Sequence, residues 1–130
     1  IGLGIPAEPL FRSLVMLAKK WHATVVISGK TDIITDGKRV MHIRNGCPEM
    51  SDITGSGCMC TTLVGAFVGA HPEDPFGASA AAMLSMGIAG ERAWRSYGHQ
   101  GLGHFHMGIL DELGSMSASV MEAEGKYDIL

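Results

Sequence analysis

Residues 23–43 constrain the fold more than any other part of this chain. They begin with Ala23-Thr24-Val25-Val26-Ile27-Ser28, a short apolar run rich in β-branched residues, which Gly29 ends. Such a run predicts a strand covered on both faces, the kind found in parallel sheets. Residues 31–35 and 39–43 then flank Asp36-Gly37. Asp-Gly between two β-prone runs predicts a hairpin, because glycine takes the turn's positive φ without steric cost.

Around this β segment the pattern is helical. Leu10, Leu14, Leu17 and Ala18 recur at helical spacing over residues 8–21, with Pro9 near the start and Lys19 and Lys20 near the end. Asn45-Gly46 and Pro48 mark a turn. A glycine-rich stretch then leads into a helix reaching about residue 68. Asp74-Pro75 joins a capping residue to a proline at the first helical position, and opens a long Ala/Met-rich helix to about Arg95. Small residues such as Gly87 and Gly90 predict close packing of that helix on another element. Residues 98–103 read as a glycine-rich loop and residues 105–113 as a last helix. The tail beyond Ser115 has weak periodicity and is expected to be loosely ordered. One buried strand and a hairpin are few for a complete sheet, and the chain opens on Ile1. The expectation is therefore a piece of a larger α/β sandwich, with no internal domain boundary in residues 1–130.

Composition excludes several classes. With 46% apolar and 18% charged residues, this is a folding chain rather than a disordered one. Its net charge of −3 comes without a basic stripe, which argues against nucleic acid as a partner. No uninterrupted apolar run is long enough to cross a bilayer, and no signal-peptide pattern opens the sequence. Cys47, Cys58 and Cys60 are odd in number and lack paired metal-ligand spacing, which points to a reducing cytoplasm. Cys60, two residues on from Cys58, is expected in the core, and Cys47 in a turn. His99, His104 and His106 cluster about the late glycine loop, where solvent-facing histidines are a better expectation than a metal site. His22, His42 and His71 are expected at the surface.

Residues 52–67 read DITGSGCMCTTLVGAF. The first amides of a helix have no partner inside it and carry the positive end of its dipole. Glycines there let a ligand approach the backbone. Gly55-Ser56-Gly57 feeding a helix is therefore a natural anion cradle, and the dipole favours a thiolate at Cys58. The alternative is structural: Thr54 or Ser56 caps the helix, the glycines only turn the chain, and the thiol only packs. No Gly-Lys-Ser/Thr follows, so this is not a Walker loop, and it is not the dinucleotide fingerprint. A cysteine-nucleophile enzyme is a competing class, but no histidine lies near the turn in sequence to form a dyad.

The same stretch resembles the signature of the hydroxyethylthiazole kinase family, which is similar to ribokinase-like kinases but carries Cys where they have Asp. Four further stretches are similar to that family: ATVVISGKTDIITDGKRVMHIRNG (residues 23–46), DPFGASAAAMLSMGIAGERA (74–93), GLGHFHMGILDEL (101–113) and the N-terminal helix before residue 23. The resemblance covers about residues 9–113. It implies the C-terminal half of a ribokinase-like α/β/α sandwich. It also implies phosphorylation of 4-methyl-5-(2-hydroxyethyl)thiazole with ATP and Mg²⁺, in a cytoplasmic homotrimer serving thiamine salvage. Cys58 would then sit beside the reacting hydroxyl, and the backbone amides of Gly55, Ser56, Gly57 and Cys58 would form an anion hole. Gly55 would also contact the thiazole, and Ser28 would contact ATP. The other reading of Ser28 is a strand-end turn stabilised by its own hydroxyl. No Mg²⁺ ligand is assigned. The family's other half, with its nucleotide and Mg²⁺ contacts, has no counterpart in these residues, so a non-catalytic nucleotide-binding or partner-bound half is the competing expectation.

Overall fold

The Asp36-Gly37 turn forms as its sequence predicts. Asp36 Oδ1 accepts from the amides of Lys38 (2.9 Å) and Arg39 (2.7 Å). Thr35 Oγ1 donates to the Arg39 carbonyl at 2.8 Å and accepts from the Gly37 amide at 3.0 Å. Gly37 takes φ +89° and lies so close to Lys19 that a Cβ would stand 3.1 Å from the Lys19 amide nitrogen. Only glycine fits both the dihedral and the approach.

This hairpin is the centre of the structure, a computed structural model that describes residues 7–130. In chain order the main elements are α1 (Ala7–Trp21), β1 (Val25–Ile27), β2 (Asp32–Thr35), β3 (Val40–Ile43), α2 (Ser56–Ala70), α3 (Pro75–Tyr97), α4 (Leu102–Gly114), α5 (Ala118–Glu124) and β4 (Tyr127–Ile129). Short 3₁₀ turns at Pro48–Asp52 and Gly98–Gln100 precede α2 and α4. The strands form an antiparallel sheet in the order β1-β2-β3-β4, with Ile34 opposite Met41 and Ile33 opposite His42.

The two-residue period of the strands sorts side chains between the layers. Ile34 and Ile43 face α3 and are fully buried with Phe76, Met83, Leu84 and Ile88. The opposite face lies under α1, whose Leu14 and Ala18 are buried and whose Phe11 meets the His42 ring edge-on at 6.1 Å. A second core joins α3 to α4 through Met86, Ala89, Ala93, Phe105 and Ile109, with Ile53 from the turn before α2. The small residues of α3 do what the sequence suggested. A Cβ on Gly87 would stand 2.8 Å from the Asn45 carbonyl oxygen, so the bare backbone admits the loop after β3.

Several expectations are corrected. Among the described residues, β1 pairs with β2 antiparallel and all three of its residues are half-buried, so it is not the doubly covered parallel strand its composition suggested. The expected glycine loop is a short 3₁₀ turn, and α4 already begins at Leu102, so His104 and His106 lie on a helix; His106 is half-buried. His42 is also half-buried, because its strand position turns it under α1, and its Nε2 is buried without a hydrogen-bond partner. The tail is ordered. Ser117 caps α5 by accepting from the Val120 amide, and β4 joins the sheet beside β3. Tertiary partners achieve this: Asn45, 5% exposed, accepts from the Lys126 amide at 2.7 Å and donates to the Glu124 carbonyl at 3.0 Å. Arg92 bridges Glu112 and Glu124, and Lys126 pairs with Glu91.

Candidate functional site

The glycine turn positions the start of α2. Ile53 is buried in the second core and fixes the chain on one side. Gly55 then occupies the position before the helix with φ 91° and ψ 1°, the left-handed region, with open space on the side where a Cβ would stand. No side chain caps α2, so neither Thr54 nor Ser56 plays the capping role that the structural reading gave them. The Ser56 amide donates to the Ile53 carbonyl at 3.3 Å, and the Met59 amide to the Gly55 carbonyl at 2.9 Å. The amides of Gly57 and Cys58 are left without a partner among the described residues. The Thr61 and Thr62 hydroxyls donate back to the Gly57 and Cys58 carbonyls at 3.0 and 2.8 Å.

Beside this helix start lies a cleft of about 190 Å³. Val26 and Ser28 at the end of β1 form one wall, Gly57, Cys60 and Thr61 of α2 form another, and Met83 of α3 contributes from the core. The structure thus brings Ser28 and Gly57, nominated separately from the sequence, into one cleft. Gly55, Ser56 and Cys58 sit at the adjacent turn. The Cys58 side chain is exposed and does not line the cleft.

Cys60 turns inward, as its offset from Cys58 requires. Its Sγ lies 3.2 Å from Met83 Sδ, and burial, then the charge of Asp32, raises its thiol pKa. Cys47 is half-buried, its thiol donating to the Gly90 carbonyl at 3.6 Å; burial, then the charge of Glu49, pushes it up to about 11. Neither is a ready nucleophile.

Asp32 is the residue that sequence reasoning missed. It shares its face of β2 with Ile34, is 8% exposed, and accepts from the Gly29 amide at 2.9 Å through Oδ1. Burial raises its carboxyl to about 6, against the lowering effect of that hydrogen bond. The signal was the alternation in Asp32-Ile33-Ile34, which places a carboxylate on the apolar side. Among the described residues no three His, Cys, Asp or Glu side chains are grouped to hold a metal ion; Mg²⁺ accompanying a nucleotide takes most of its ligands from phosphates and water.

Helices packed on an antiparallel sheet, with an uncapped helix start beside a strand end, define an α/β protein with a cleft between the two. The comparisons narrow this class. The profile of the Hydroxyethylthiazole kinase family matches residues 7–119. The hydroxyethylthiazole kinase of Clostridium beijerinckii is 44% identical over 85% of this chain and 40% of its own length. That of Thermoanaerobacter pseudethanolicus is 42% identical over 94% of this chain and 46% of its own. The solved structure of a hydroxyethylthiazole kinase protein from Pyrococcus horikoshii OT3 superposes with a TM-score of 0.86 at 29% identity, covering 95% of this chain and 47% of that one. The chain belongs to the hydroxyethylthiazole kinase family, and its fold is that of a ribokinase-like α/β protein. It spans less than half the length of these relatives.

Proposed function

We propose that this chain carries the phosphate-handling part of a kinase that transfers the γ-phosphoryl group of ATP to the hydroxyl of 4-methyl-5-(2-hydroxyethyl)thiazole. The observation that carries the reading is the cleft joining Ser28 to Gly57 at the uncapped start of α2. Phosphoryl transfer asks a protein mainly for positioning and for donors aimed at developing charge. The free amides of Gly57 and Cys58 supply such donors. The Ser56 amide is already engaged with Ile53, which narrows the anion hole to those two, with Gly55 providing the turn and a place for the thiazole. Ser28 contacts the nucleotide from the opposite wall. Cys58 stands at the exposed rim, on the acceptor's side. Mg²⁺ enters as the counter-ion of ATP, and the working assembly is a cytoplasmic homotrimer. No helix among the described residues is long and apolar enough to cross a membrane.

The test is mass detection of phosphorylated hydroxyethylthiazole from ATP, Mg²⁺ and the thiazole alcohol, using this chain and the full product of its gene. Product from either supports the reading. A Cys58→Asp variant of the active form is expected to retain or raise transfer, because a carboxylate is the better proton acceptor. No product from either soluble, folded protein would reject the kinase reading, and ATP binding without product would leave a nucleotide-binding subunit.

A further inference from the structure

We propose that Asp32 is a positioning residue for the nucleotide: through the Gly29 amide, its carboxylate sets the Ser28 turn against the start of α2. The inference rests on the kinase reading and extends it to a residue that touches neither substrate.

Three observations meet at this carboxylate. It holds the turn, with Oδ1 accepting from the Gly29 amide at 2.9 Å, one residue beyond the Ser28 that lines the cleft. Its charge also acts on the thiol of Cys60, which lines the cleft from α2. And it is a poor choice for folding alone. Asp32 is 8% exposed on the side of β2 that also carries the core residue Ile34, and its burial raises the carboxyl to about 6. A buried acid that costs stability and anchors a ligand-facing turn has the character of a site residue. The groups around it are few. Cys60 is the titratable side chain facing it from α2, Lys30 in the turn is exposed, and β1 and α3 bring the apolar Val26 and Met83 to the cleft.

A charged Asp32 is a strong acceptor for the Gly29 amide, and a protonated one is a weak acceptor. The Ser28 turn is therefore held firmly above the carboxyl's pKa and loosened below it. Asparagine keeps an acceptor oxygen in place without titrating, whereas alanine removes the acceptor.

The experiment follows the Gly29 amide by ¹H–¹⁵N NMR from about pH 4.5 to about pH 8, a window that brackets a raised carboxyl, and measures ATP affinity, KM and kcat in the same buffers. The wild-type amide is expected to titrate with a midpoint near 6. ATP affinity should weaken through the same midpoint beyond any change seen in Asp32→Asn. At pH about 7.5, Asp32→Ala should raise the KM for ATP about tenfold, the worth of one charge-assisted hydrogen bond, and leave kcat within about twofold. Wild-type ATP affinity in a folded Asp32→Ala would overturn the proposal, since a purely structural carboxylate moves Tm and not KM. If Asp32→Ala does not fold, Asp32→Asn decides: an ATP affinity that still falls through pH 6 as in wild type overturns it equally. No ATP binding by wild type at any pH is a different result. It rejects the kinase reading, and the positioning role falls with it, whatever the Gly29 amide does.

Discussion

At the scale of single residues, two aspartates on one strand and its turn show how position sets chemistry. Asp36 is at the hairpin tip. Burial would raise its carboxyl, but the amides of Arg39 and Lys38 and the Arg39 guanidinium outweigh that and hold it at about 2. Asp32, four residues earlier, is raised to about 6 by burial. A native value above the unfolded 3.8 means that the folded chain keeps a proton the unfolded chain has released. Stability therefore falls as pH rises from about 4 to about 6, and the full deficit persists above that. The gap corresponds to at most about 3 kcal/mol. Asp32→Asn is expected to raise Tm by several degrees at pH about 7.5 and to leave it unchanged near pH 4, which calorimetry at the two values checks. Equal shifts at both would mean that ionisation is not the cost. The sequence made the division between Cys58 and Cys60 legible, because two residues along a helix turn a side chain to another face. It also held the signal for Asp32, but a polar residue opening a strand looks like a turn residue until its partner strand is known.

At the scale of elements, what was legible is what local chemistry determines. The Asp-Gly hairpin, the first helix and the Asp74-Pro75 start of α3 stand where their residue types put them. Asp74 precedes Pro75 as expected, but no side-chain cap hydrogen bond is made; its carboxylate instead accepts from Arg39 at 2.9 Å, and the same guanidinium stacks 4.3 Å from the Phe76 ring centre. The tail was not legible, because β4 is three residues long, exposed throughout, and has no periodicity to announce it. Long-range partners order it. Asn45 is central, since its amide group satisfies the Lys126 amide and the Glu124 carbonyl together. Asn45→Ala leaves both groups without that partner in a half-buried setting, at a cost of about 1–3 kcal/mol. The expected result is faster amide hydrogen exchange at Arg44, which donates to the Lys126 carbonyl, and at Leu130, which donates to Val40, with Ile34 protection kept. The Arg92 and Lys126 ion pairs are more exposed, and losing either should cost less. Uniform loss of protection would show that the tail and the sheet open as one unit.

At the scale of the whole molecule, the layered α/β plan was legible from the alternation of helical and β-branched segments, but the antiparallel role of β1 was not. A short apolar run has the same composition whether a strand or solvent lies beside it. In the folded chain two features border the cleft and lack full cover among the described residues. One is the edge of β1 away from β2, which pairs with no strand among the described residues. The other is α2, rich in apolar residues yet with none buried; its exposed Gly57, Thr61, Gly65 and Gly69 recur every four residues. An open apolar strand edge is a template for pairing with another chain. The 130-residue chain is therefore expected to associate as its concentration rises through the micromolar range. A charge at the strand's approach opposes such pairing, and Thr24, half-buried just before β1, is the place for one. Thr24→Lys should shift sedimentation-velocity profiles toward the monomer while leaving the far-ultraviolet circular dichroism spectrum unchanged. Equal association of the variant and the parent would move the contact away from β1, and α2 would become the face to charge next, with Ala66→Lys on its exposed side.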